Sequence, residues 1–231
     1  MTFFDPPKET AAAAIAKLQS HGIIIKVLTG DNELVTRKIC SEVGLQVQNS
    51  LLGPKIDAMT DKELEDVVDE TTIFAKLSPD DKKRVIKALQ RKKHAVGFSG
   101  DGVNDAPALR TADVGISVDT AVDISKESAD IILLEMNLMV LSDGVIEGRK
   151  VFGNIIKYIK MGASSSFGNM FSVIGASIFL PFLPMIPLQL LTNNLLYDFS
   201  QTAIPTDNVD KEYLDRPRKW EIADIRRFMI F

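Results

Sequence analysis

Residues 95–109 read Ala95-Val96-Gly97-Phe98-Ser99-Gly100-Asp101-Gly102-Val103-Asn104-Asp105-Ala106-Pro107-Ala108-Leu109. A short apolar run ends in a glycine-punctuated acidic turn, which passes into alanines with a proline at a position that a helix start tolerates. The stretch predicts a strand, a polar turn and a helix. The same order occurs twice upstream. Residues 23–28 form a β-branched run suited to a strand buried on both faces, followed by Thr29-Gly30-Asp31-Asn32 and a helix to about Val43. Residues 72–76 lead to Ser78-Pro79-Asp80-Asp81 and a helix to Arg91. Residues 114–118 and 131–134 supply two more short apolar strands. Repeated strand–helix alternation predicts an α/β fold with a parallel sheet, helices on both faces and right-handed crossovers. The polar turns then gather at one sheet edge, outside the carboxyl ends of the strands, where open α/β sheets bind ligands.

Residues 5–20 open with Asp5-Pro6-Pro7-Lys8 and predict a helix closed by Gly22. Residues 46–71, with Gly53-Pro54 and several acids, read as a surface excursion with a short helix near 61–68. From Asn137 a long helix is expected through Arg149-Lys150, Lys157 and Lys160 straight into an apolar stretch. Residues 161–197 contain no Asp, Glu, Lys or Arg. Pro181, Pro184 and Pro187 divide that stretch into two expected membrane spans, about 161–180 and 188–206, each near the ~20 residues that a bilayer requires. Arg149, Lys150, Lys157 and Lys160 flank the entry of this transmembrane α-helical hairpin, and Lys211, Arg216, Arg218 and Lys219 flank its exit. The positive-inside tendency places both flanks in the cytoplasm. The competing reading, two buried helices of a soluble core, fits less well because the two segments are adjacent and bracketed by basic residues. The expected organisation is an α/β domain at 1–136, a connecting helix at 137–160, two spans at 161–206, and a cytoplasmic loop with the start of a further helix at 207–231.

Composition narrows the partners. The 231 residues carry a net charge of −4 with Lys and Arg interspersed, so there is no basic stripe and no nucleic-acid partner is expected. The single cysteine, Cys40, allows no internal disulfide and reads as a small buried hydrophobe. Met1-Thr2-Phe3-Phe4-Asp5 has no basic-then-apolar leader, so membrane entry is expected from the later segments.

The acidic turn has a chemistry. Closely spaced carboxylates with small residues between them, at a strand end, suit Mg²⁺ and an approaching phosphate. Asp101 is the leading metal ligand. Asp105 is placed to hold or orient the metal's water shell, and Asn104 to donate to phosphate or cap the helix. Thr29 and Asp31 end an earlier strand, where a hydroxyl and backbone amides bind phosphoryl oxygens. Lys82, at the start of its helix, reaches the same edge and can neutralise charge on a transferring phosphoryl group. In the apolar stretch, Asn169 and the pair Asn194 and Asp198 put oxygens where ionisable groups are rare and usually functional. The four-residue spacing sets Asn194 and Asp198 on one helical face, where they can converge on a cation.

These residues resemble the phosphorylation domain of P-type ATPases, relatives of the haloacid dehalogenase phosphotransferases. Asp5-Pro6-Pro7-Lys8, Thr29-Gly30-Asp31, Pro79 to Lys82 and Ser99 to Leu109 each match a family motif, with Ser99 where threonine is usual. The resemblance implies Asp101 as a ligand of catalytic Mg²⁺, Lys82 and Thr29 as phosphoryl-binding groups, and Asp31 beside the nucleotide, ATP. The combination of Phe167-Gly168-Asn169 with Asn193-Asn194-Leu195-Leu196-Tyr197-Asp198 is most similar to magnesium-translocating members. It implies transported Mg²⁺, a lipid bilayer as partner and the bacterial inner membrane as location.

One family motif has no counterpart. The phosphorylated aspartate of P-type ATPases lies in Asp-Lys-Thr-Gly, and that tetrapeptide does not occur here. The nucleotide-binding domain, the actuator domain and four earlier membrane helices have no counterpart either. The chain is therefore expected to be a C-terminal segment that is inactive alone, with a sheet lacking its central strand and the missing N-terminal part of a pump as its partner. Two other readings remain: a non-catalytic membrane protein that kept the fold or complements a separate chain, and a free-standing phosphatase, which needs the same missing nucleophile.

Overall fold

The computed structural model describes residues 10–135, 137–182, 184–218 and 220–230. The Asp5 to Lys8 motif, Lys219 and Phe231 lie outside them. The chain forms two compact units, residues 1–143 and 144–231.

The first unit is built on six short parallel strands. β1 (Val27–Leu28) and β2 (Asn49–Leu52) pair on either side of β3 (Thr71–Ala75), while β5 (Val114–Val118) lies between β4 (Gly97–Ser99) and β6 (Ile131–Leu133). The sequence predicts one sheet, whereas the described residues make two three-stranded sheets with no hydrogen-bonded ladder joining them. Strand β3 is central to the first and buried along its whole length, as the apolar character of Ile73, Phe74 and Ala75 requires. Strand β1 is much shorter than the run 23–28 suggests, and Ile24 is 75% exposed. The reason is one-sided pairing: among the described residues, β1 has a neighbour in β3 and none on its other edge. Strand β4 is likewise an edge strand. Leu28 nevertheless packs against both the cluster around Phe74 and the cluster of Ile86, Phe98, Ala108 and Leu109, so the two sheets share apolar contacts.

Helices α1 (Ala11–Ser20), α2 (Glu33–Glu42), α3 (Gly53–Asp57), α4 (Asp61–Val68), α5 (Pro79–Arg91), α6 (Ala106–Thr111) and α7 (Asp123–Ser128) connect the strands. Their starts follow local chemistry. Asn32 caps α2, and Thr60 and Ser78 form capping boxes with Glu63 and Asp81 at the starts of α4 and α5. Gly22, at φ +73°, ends α1 in the left-handed region that glycine enters without cost. The surface excursion at 46–71 is more structured than its sequence suggests. It contains β2 and α3, and Leu51, Ile56, Leu64 and Val68 belong to the core that covers Phe74. Cys40 is 2% exposed within the second apolar cluster, and burial pushes its thiol pKa up.

In the second unit, α8 (Leu138–Phe179), which starts in the first unit, continues as one helix, as the sequence predicts from Asn137, and is followed by α9 (Pro187–Gln201), α10 (Lys211–Asp215) and α11 (Ile222–Ile230). The expected transmembrane hairpin is corrected here. Among the described residues, no helix is long and apolar enough to cross a membrane. Two physical features account for this. The apolar part of α8 is diluted by Ser164, Ser165, Ser166, Gly168 and Asn169. Helix α9 has 15 residues, about 22 Å at the standard helical rise, against a hydrocarbon core of about 30 Å.

The basic residues expected at the entry of the spans are paired within this unit. Lys157 bonds Asp207 at 2.7 Å, Lys160 bonds Asp224 at 2.6 Å, and Arg149 donates to the carbonyl of Leu214. Asn154 donates to the carbonyls of Pro205 and Asp207. Gly153 admits the buried Val209, whose Cγ1 would lie 2.8 Å from a Cβ at that position. Residues 205–224 thus clasp one stretch of α8, and the positive charge available for topology is smaller than the residue count implies.

Candidate functional site

Three of the predicted turns are fixed by backbone bonds at the carboxyl ends of the strands. The N–H of Thr29 donates to the carbonyl of Phe74, that of Lys76 to Asp31, and that of Leu77 to Thr29, so the turn after β1 is stitched to the exit of β3. Within it, the Thr29 hydroxyl donates to the Asp31 carboxylate at 3.0 Å, and the Asp31 N–H donates back to Thr29 Oγ1 at 3.1 Å. This closed local ring pre-orients both groups.

The turn after β4 is held from the second sheet. Gly100 N–H donates to Ile116, Ser117 Oγ donates to the Gly100 carbonyl at 3.0 Å, and Ser125 Oγ donates to the Gly102 carbonyl at 2.7 Å. Ser117 and Ser125 are both fully buried. Sequence reading did not single them out, because a serine in a strand or short helix carries no signal until the fold aims its hydroxyl at a loop carbonyl. Gly100 is sterically required: a Cβ there would lie 2.6 Å from the Cβ of Asp105.

Across these loops Lys82 and Asp105 form an ion pair at 2.6 Å. Their side chains are 11% and 14% exposed, so the pair is shielded from water and loss of either partner would leave the other charge buried without its counter-ion. Asp105 Oδ2 also accepts from the Gly102 N–H at 3.2 Å. Asp105 is thereby occupied by Lys82 and the loop, where the sequence assigns it to a metal's water shell. Asp101 is exposed on the same loop, and its carbonyl accepts from Val122. Asn104 is exposed in the 3-10 turn Val103–Asp105 and does not cap α6, whose N-cap residue is Asp105. Among the described residues, no three His, Cys, Asp or Glu side chains group as a metal cage.

A cage is not what Mg²⁺ demands. It keeps several waters and is commonly held by one or two carboxylates and substrate phosphates, which suits exposed Asp101 beside the anchored Asp105. The arrangement offers a free carboxylate, a screened lysine and a hydroxyl with backbone donors, on loops fixed at strand ends. In α8 and α9, Asn169 is half-buried while Asn194 and Asp198 are exposed, and no hydrogen bond among the described residues brings them together.

Comparison with known proteins finds similar sequences. Residues 1–113 match the haloacid dehalogenase-like hydrolase family. The whole chain is 59% identical to magnesium-transporting ATPase, P-type 1, of Escherichia coli K12 and 58% identical to its counterpart in Salmonella typhimurium strain 14028s, covering 26% of each. It is 32% identical, over 98% of its length, to 24% of the endoplasmic reticulum calcium ATPase srcA of Aspergillus fumigatus. The chain spans about a quarter of the length of these curated relatives. The identity extends over the whole chain, through both units, so the chain is similar throughout to a segment of magnesium-transporting P-type ATPases.

Proposed function

We propose that the chain supplies the Mg²⁺-binding and phosphoryl-binding edge of an ATP-driven magnesium transporter, together with helices that contribute ligands to the transported ion. The observation that carries this reading is the 59% identity over all 231 residues to a magnesium-transporting ATPase. In this reading Asp101 and Asp105 hold the catalytic Mg²⁺, which supplies charge neutralisation on the phosphoryl oxygens when bound. Lys82 shifts part of its charge from Asp105 to the phosphoryl group. Thr29 donates its hydroxyl to a phosphoryl oxygen, Asp31 orients Thr29 and lies beside the nucleotide, and Asn104 donates to phosphate. None of these groups accepts the phosphoryl covalently. The nucleophile must come from the remainder of the pump, and the open edges of β1 and β4 are where a further strand would complete the sheets.

The transported Mg²⁺ is the substrate, and Asn169, Asn194 and Asp198 are its proposed ligands. Their partial exposure fits helices whose neighbours belong to the remainder of the pump. Phe171, Ile174 and Ile178 on α8, and Leu188, Leu191, Leu195 and Phe199 on α9, are at least half exposed and require cover by other helices and lipid. The proposed location is the bacterial inner membrane, with the first unit in the cytoplasm.

The test is a chimaera in which this chain replaces the matching segment of the Escherichia coli relative, assayed for Mg²⁺ uptake in cells lacking their own transporters. The expected result is restored uptake, lost in Asp101→Asn and reduced in Asn169→Ala and Asp198→Ala. Full uptake in all three variants would remove the proposed roles.

A further inference from the structure

Asp101 stands between Gly100 and Gly102, the residues of its loop with the widest backbone freedom. A loop of this kind, if free, scatters its carboxylate, whereas Mg²⁺ demands near-ideal octahedral geometry from the few protein oxygens that bind it. Each carbonyl from Gly100 to Gly102 is held instead. The Val122 N–H donates to the Asp101 carbonyl at 3.3 Å, and the Asp105 N–H donates to the Gly102 carbonyl at 2.9 Å. Two side chains complete the hold: Ser117 Oγ donates to the Gly100 carbonyl at 3.0 Å, and Ser125 Oγ to the Gly102 carbonyl at 2.7 Å.

These two hydroxyls break the local rules of their elements. Ser117 lies in β5 between buried Ile116 and Val118, where a small apolar side chain would fill the same space, and it is fully buried. Ser125 is fully buried on α7. A buried hydroxyl has no water to turn to, so its bond must be made inside the fold. Burial alone does not supply one: Ser142, also fully buried, has no hydrogen-bond partner among the described residues. Ser128, on the same helix as Ser125, donates to the Ile124 carbonyl one turn back at 2.6 Å, the ordinary choice for a helical serine. Ser117 and Ser125 reach out of their own elements, to the two glycines that flank Asp101. Polar groups set against local preference and converging on one loop mark a functional demand rather than a packing one.

We infer that Ser117 and Ser125 are positioning residues for Asp101. Their hydroxyls engage the flanking carbonyl oxygens, so that the loop presents the exposed Asp101 carboxylate as its free ligand group. This rests on the reading of Asp101 as a ligand of catalytic Mg²⁺ and adds the two groups that set its affinity from a second sheet and a separate helix. Both serines are buried behind the loop and act only through Asp101.

The test uses the purified chimaera described above, without ATP, titrated with Mn²⁺, an octahedral ion with the same preference for oxygen, by electron paramagnetic resonance. The bound Mn²⁺ that Asp101→Asn removes defines the site. Ser117→Ala and Ser125→Ala are each expected to weaken that binding about tenfold, the usual loss when a group supporting a metal ligand is removed. Hydrogen exchange, followed by mass spectrometry, should quicken over residues 100–102 in both variants while β3 stays protected, which shows that weaker binding is not unfolding. Ser128→Ala removes a buried hydroxyl from the same helix without touching the loop, and it should leave both Mn²⁺ affinity and loop exchange unchanged. Weakened binding in either Ser117→Ala or Ser125→Ala, with β3 protected and Ser128→Ala unaffected, supports the inference. Unchanged affinity in both, or equal weakening in Ser128→Ala, overturns it while the reading of Asp101 survives. Mn²⁺ binding that is the same in Asp101→Asn as in the unaltered protein overturns both.

Discussion

At Gly100 the constraint is steric and local. A methyl group there would lie 2.6 Å from Asp105 Cβ, so the alanine variant must push Asp105 away from Lys82. Gly100→Ala is expected to cost about 1–3 kcal/mol, the usual range for overpacking a tight site. Urea unfolding of the two proteins measures it, and a change under a few tenths would show that the loop yields freely. Lys82→Ala leaves Asp105 shielded without its cation and is expected to cost about 3 kcal/mol, whereas replacing an exposed lysine such as Lys62 should change little. Sequence made Asp105 and Lys82 visible as functional types, because each ends a strand–turn or opens a helix. Their pairing was not legible, since 23 residues separate them and only the packing of α5 beside the turn after β4 brings them into contact. The same holds for Ser117 and Ser125, whose hydroxyls matter through the carbonyls they meet.

Among the elements, the helix starts were the most legible. Ser78-Pro79-Asp80-Asp81 announces α5, and the capping box is present in the fold, with Ser78 Oγ accepting from Asp81 N–H at 3.2 Å. Ser78→Ala is expected to lower stability by about 1 kcal/mol, read from a shifted denaturation midpoint at unchanged slope. The cap of α4 adds a pH dependence. The Thr60 backbone N–H, and then its hydroxyl, hold the Glu63 carboxyl below its usual range, and Lys92 does the same for Asp69. A carboxylate depressed in the folded state contributes stability above its unfolded pKa and loses it as pH falls through the folded one. Stability should thus be level from neutral to about pH 5 and decline below about pH 4. Glu63→Gln should shallow that decline, and thermal melts between pH 3 and 7 would decide it. Strand β2 escaped the sequence reading because Asn49-Ser50-Leu51-Leu52 has no β-branched residue and pairs only by lying against β3. Strand β1 failed the other way. Its β-branched run is strand-like, but the run has a partner on one side only, and just two residues form a ladder.

For the whole molecule, the two units make different demands on what surrounds them. The first has a core, caps and a pinned site, yet exposes the edges of β1 and β4. The second clasps its own α8 through Val209 on Gly153 and through two ion pairs, while leaving apolar side chains of α8 and α9 open. Gly153→Ala should loosen that clasp, raising proteolysis within 205–224, whereas Asp207→Asn should change little because its pair is open to solvent. Residues 161–197 carry no charge, but absence of charge is not apolarity: serine, asparagine and glycine lower the mean hydropathy of α8 and α9 is short, so among the described residues no helix is long and apolar enough to cross a membrane. We propose that this chain carries the metal and lysine side of a phosphoryl-transfer site whose nucleophile lies on the remainder of a P-type pump. Labelling with γ-³²P-ATP and Mg²⁺ tests it directly, using the chain alone and the chain co-expressed with the complementary part of the Escherichia coli relative. The account predicts an acid-stable, hydroxylamine-sensitive phosphoprotein only in the combined sample, on the complementary part, and lost in Asp101→Asn. Labelling of this chain by itself, or equal labelling in Asp101→Asn, would contradict it.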